Sequence, residues 1–180
     1  MFSNVTLYTA QTCNKLVFNP AKTYILMVAQ AFELSSLSLD ETTASIYSIV
    51  VPSVIWKTDI YQDAFLCCEI KPHNTILFCQ KEKDVSAHIL EESKSVMVFV
   101  DWLDSKIYRY LDKLFSLTCE DVTNMGMGCG RVEGIEQPIL ARNGNELKNG
   151  FLMIASSNRA YIGTGHGSKY HDGYFIAHTE

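Results

Sequence analysis

The sequence predicts an α+β, strand-rich fold: mostly antiparallel sheet, one or two helices packed on one face, and a C-terminal β-meander. Three observations carry this reading. Apolar runs rich in Ile, Val, Phe and Tyr recur at strand length through the first half of the chain. One later segment has a clean helical period. All ten glycines fall between Gly126 and Gly173, which concentrates tight turns and close backbone approaches in the last third.

In chain order, Val5 to Ala10 and Lys15 to Asn19 read as short strands. Thr23 to Leu34, Ser45 to Lys57, Ala64 to Ile70 and Asn74 to Gln80 read as longer, more apolar ones. Pro52 lies inside the second of these and suits an edge or a bulge, because it cannot donate to a ladder. Asp84 to Ser93 is a helix candidate with Asp84 as N-cap. Ser95 to Trp102 is apolar on both faces, as a central strand is. A second helix begins at Asp104 or Ser105. In it Ile107, Tyr110, Leu111, Leu114 and Phe115 form one apolar stripe, and Leu111 and Phe115 are expected to face Val98 or Val100.

Beyond Cys119 the signals are turns. Asn143-Gly144 between alternating residues predicts a hairpin over Ile139 to Leu147. Asn149-Gly150 leads into a strand from Phe151 to Ala155. Further strands are expected over Ala160 to Thr164 and, after Asp172-Gly173, over Tyr174 to Thr179. No linker separates the parts. The expectation is a single domain over 1–180, with a glycine-free strand and helix part at 1–122 and glycine-rich antiparallel hairpins at 123–180.

A chain of 180 residues with 47% hydrophobic and 19% charged residues can bury enough surface to fold without a metal or disulfide staple. The net charge of −5 argues against nucleic acid or an anionic membrane as the main partner. No apolar run approaches the roughly 18 to 20 residues of a membrane span. Met1 to Thr6 has neither a basic nor a continuous apolar stretch of the kind a secretory signal carries. The expected setting is therefore intracellular, cytoplasmic or within a virion. The six cysteines, Cys13, Cys67, Cys68, Cys79, Cys119 and Cys129, are expected to be reduced thiols.

Two glycine-interleaved segments bear on chemistry, Gly126 to Arg131 and Gly163 to Gly173. A cysteine in a turn with exposed backbone amides, plus a histidine elsewhere, is the minimum for a thiolate nucleophile with an oxyanion hole. Cys129 with His166 or His171 would supply it, as a small hydrolase or transferase. A metal site from Cys119, Cys129, His166 and His171 lacks the paired ligands two to four residues apart that zinc sites show. Neither a metal nor a cofactor is expected. Cys67 and Cys68 lie in one strand, so they point to opposite faces and fill core.

The leading expectation is a non-catalytic structural or protein–protein interaction subunit of a larger assembly or a viral particle. The first 56 residues carry only Lys15, Lys22, Glu33, Asp40 and Glu41 as charges. Such sparsely charged strands tend to leave edges or apolar patches that need a protein partner or self-association. Trp56, at the end of that run, is the expected interaction residue.

Overall fold

The computed structural model describes residues 1–39, 41–79, 85, 90–118, 121–132, 139–147, 150–160, 169–171 and 174–176. The strands are β1 (Phe2–Thr9), β2 (Thr23–Ala29), β3 (Ser45–Val51), β4 (Val54–Trp56), β5 (Asp59–Tyr61), β6 (Ala64–Ile70), β7 (Asn74–Cys79) and β8 (Ser95–Asp101). Helix α1 (Ile107–Leu117) follows, and then β9 (Thr123–Cys129), β10 (Leu140–Arg142), β11 (Asn145–Leu147), β12 (Phe151–Ser156), β13 (Lys169–His171) and β14 (Tyr174–Ile176). The fold is α+β and strand-rich.

A six-stranded sheet runs β1-β6-β2-β3-β10-β11, and a four-stranded sheet runs β7-β12-β8-β9. Pairs β4–β5 and β13–β14 stand as separate ladders. Most neighbours are antiparallel, but β2–β3 and β8–β9 are parallel. Alternation along the strands sorts the side chains between faces. Ile25, Ile49, Cys68, Phe99, Leu152 and Ile154 meet in a core shared by the two sheets. The other face of the four-stranded sheet, with Val96, Val98, Val100 and Met153, is covered by Tyr110 and Leu114 of α1. The other face of the six-stranded sheet, with Leu26, Ile46 and Phe65, is covered by Phe32, Leu37 and Leu39. Cys67 and Cys68 fall in different clusters, as their adjacency in a strand requires.

Several expectations need correction. Lys15 to Asn19 is not a strand. A 3-10 turn over Cys13–Lys15 opens the segment, and Leu16 and Phe18 pack inward from it without strand pairing. Pro52 does not bulge a long strand but ends it, separating β3 from β4. In α1 the burial falls on Tyr110 and Leu114; Phe115 is 55% exposed and Leu111 only half-buried. The stripe is wider than the contact surface of the sheet below.

The C-terminal part is not a simple meander either. Asn143 and Gly144, both at positive φ, close the hairpin β10–β11. Strand β12 then crosses to the other sheet and sits between β7 and β8. Gly126 to Cys129 is strand rather than turn, in parallel register with β8. Half of the helix expected over Asp84 to Ser93 and most of the strand over Ala160 to Thr164 lie outside the described residues.

Candidate interaction surface

The surface begins with how α1 starts. Asp104, buried, accepts the Lys106 amide on Oδ1 at 2.8 Å and the Ile107 amide on its carbonyl at 3.1 Å. These contacts satisfy amides of the first turn. The helix then crosses the sheet beside β9, the edge strand. No described strand pairs with the outer side of β9. In the parallel register Val98 pairs with Gly126 and Val100 with Gly128, so both glycines share the face of the sheet that α1 covers. Their missing side chains leave a groove of about 320 Å³ beside Leu111 and Phe115.

Phe115 and Met127 line this groove, and other exposed apolar residues lie on or just before α1. Trp102, Leu103, Tyr108, Phe115 and Met127 are all exposed, Tyr108 to 76%. Helix geometry puts Tyr108 next to Leu111, and Leu111 next to Phe115. Asn124 also lines the groove, and its Oδ1 is buried with no hydrogen-bond partner among the described residues. Strand β9 carries no charged side chain along Thr123 to Cys129. Edge strands that resist pairing usually carry a lysine, a proline or a bulge, and this one has only glycines.

Trp56 sits elsewhere, in the β4–β5 hairpin. Its side chain is half-buried, on the same face of β4 as buried Val54. The residues that the hairpin presents outward are Ile55 and Ile60, a cross-strand pair in which both are exposed. Lys57, at φ 59°, makes the tight connection. The signal for this pair was in the sequence: Val54 to Trp56 and Asp59 to Tyr61, three residues each on either side of Lys57-Thr58, are too short to bury both faces.

Cys129 is fully buried, in the core between the sheets. Its thiol donates to the Met127 carbonyl at 3.6 Å. Burial, reinforced by nearby Asp101, pushes its pKa up to about 12. A nucleophilic cysteine needs the opposite environment, exposed and electropositive. The Gly130 amide, which an oxyanion hole would use, donates to the Val50 carbonyl at 3.0 Å. Gly128 and Gly130 make room for a side chain rather than for a substrate. The Trp102 Cβ lies 3.2 Å from where a Gly128 Cβ would stand, and its indole occupies the place a Gly130 side chain would need. His166 lies outside the described residues, and for His171 only its place in β13 is described.

Among the described residues no group of three or more His, Cys, Asp or Glu is placed to hold a metal. No helix there is long and apolar enough to cross a membrane. No protein-family model matches the chain, and no curated protein or solved structure matches it.

Proposed function

We propose that this chain is a non-catalytic structural subunit that associates by strand addition at β9, with a second copy of itself as the partner. The observation that supports the reading is the uncharged open edge of β9 beside an apolar groove lined by exposed Phe115 and Met127. Strand addition supplies main-chain hydrogen bonds for affinity, and the flanking groove supplies side-chain specificity. Antiparallel pairing of two β9 strands about Gly126 would bring glycine opposite glycine. The two α1 helices could then close over the joint through Phe115 and Tyr108. A two-fold contact of this kind is self-complementary and closes at the dimer.

Phe115→Lys and Met127→Lys test it. Both side chains are exposed, so each variant should fold with an unchanged circular dichroism spectrum. Sedimentation velocity of the unmodified chain should show a dimer, and both variants should sediment as monomers. A monomer in all three, or a dimer untouched by both changes, would overturn the reading.

A further inference from the structure

The outer face of the six-stranded sheet is covered over β2, β6 and Ile46 of β3, and an opening lies further along β3 and at β10. The opening is a cleft of about 1000 Å³, floored by Val28, Ser48, Val50 and Ala141 and walled by residues 30–35, residues 37–39 and Arg131. That volume is the upper end of what small-molecule sites show. Two polar side chains line the cleft. Ser48, 4% exposed and between Leu26 and Ala141 in the ladder, places a hydroxyl in the otherwise apolar floor of the cleft.

Arg131 is the second. Its Nη1 donates to the Gln30 carbonyl at 3.0 Å, and the Val132 amide donates to Gln30 Oε1 at 2.9 Å, so Gln30 fixes where this segment lies. Nε is buried with no partner, and no described carboxylate pairs with the guanidinium. With Nη1 taken, the edge left over is Nε with Nη2. That edge is a parallel fork matching the two oxygens of a carboxylate.

We infer that this cleft binds a small organic carboxylate, its oxygens held by the Arg131 fork and the Ser48 hydroxyl. Glu33 and Glu146 line the same cleft and the chain carries a net charge of −5, which disfavours a dianion such as phosphate. The site is independent of the β9 edge, and its test does not depend on association.

The experiment is a ¹H–¹⁵N NMR titration of the full chain with sodium acetate, against sodium chloride and inorganic phosphate at matched ionic strength. Acetate should shift the amides of Ser48, Val50, Ala141 and Arg131 to saturation, and chloride and phosphate should not. Arg131→Lys keeps the charge but loses the fork, and should weaken acetate about tenfold. Ser48→Ala should weaken it severalfold while leaving the circular dichroism spectrum unchanged, since it removes one hydroxyl from the cleft floor. If Arg131→Lys fails to fold, Ser48→Ala decides alone. Shifts that do not saturate, saturation by phosphate to the same degree, or indifference of acetate binding to the folded variants would each overturn the proposal.

Discussion

Gly130 has room for a hydrogen and nothing larger, because the Trp102 indole lies against it, and its φ of 155° is one that side chains rarely adopt. Gly130→Ala must push the indole away or shift the end of β9. We expect a loss of about 1–3 kcal/mol in urea denaturation. A red shift of Trp102 fluorescence should accompany it, read in a Trp56→Phe background. Unchanged stability and fluorescence would show that Trp102 does not depend on that space. The thiols give a second prediction at this scale. Burial raises Cys67, Cys68 and Cys129 from 9.0 to about 12. Between those values the folded chain holds protons that the unfolded chain has released, so stability falls as pH rises. Melting temperature should decline from about pH 9 upward, and substituting Cys129 with alanine should flatten part of that decline. At neutral pH, half-buried Cys13 should alkylate well before Cys129 in the native protein. The Gly128-Cys129-Gly130 motif was visible in the sequence, but its meaning was not. Glycines flanking a cysteine look the same whether they free amides for a substrate or clear space for Trp102. Only the packing distinguishes the two.

At the scale of elements, α1 separates residues of like chemistry by what lies beneath them. Leu114 is buried against the sheet, and Leu114→Ala should cost about 2–5 kcal/mol through lost contacts and a cavity. Phe115→Ala should change monomer stability by less than about 0.5 kcal/mol. Equal losses in chemical denaturation would mean that the helix is rotated from the position described. The helix itself was legible, because a 3.6-residue period is local. So were β6, β8 and the β10–β11 hairpin, whose Asn143-Gly144 turn announces itself. Asn143 also accepts the Ile46 amide and donates to the Ala44 carbonyl, both at 2.8 Å, and so ties the hairpin to the start of β3. The place of β12 was not legible. A run such as Phe151 to Ala155 declares burial on both faces, yet nothing local says that its neighbours are β7 and β8. The parallel β8–β9 pairing was hidden for the same reason, and with it the exposure of the β9 edge.

For the whole molecule, the sheets are built from distant parts of the chain, and what is left uncovered decides its capacity to associate. Sparse charge in the first 56 residues pointed toward apolar exposure, and Trp56 was the residue that this logic selected. The β4–β5 hairpin does expose Ile55 and Ile60, but the broader apolar surface lies around α1 and β9, from Trp102 to Met127. It could not be read ahead of the structure because it joins a helix, a strand end and two glycines whose proximity is a tertiary fact. If the surface is a dimer seam, Ile55→Lys and Ile60→Lys should leave the sedimentation coefficient unchanged, while Phe115→Lys should lower it.

Association through β9 is tested most directly by amide hydrogen exchange followed across a wide range of protein concentration. The β9 amides that do not bond to β8 should exchange freely when the chain is dilute and become protected as concentration rises. Phe115→Lys should abolish that protection while leaving exchange in β8 and β12 as it was. Exchange from β9 that is the same at every concentration would contradict the account, because an edge that meets another strand cannot leave those amides open to water.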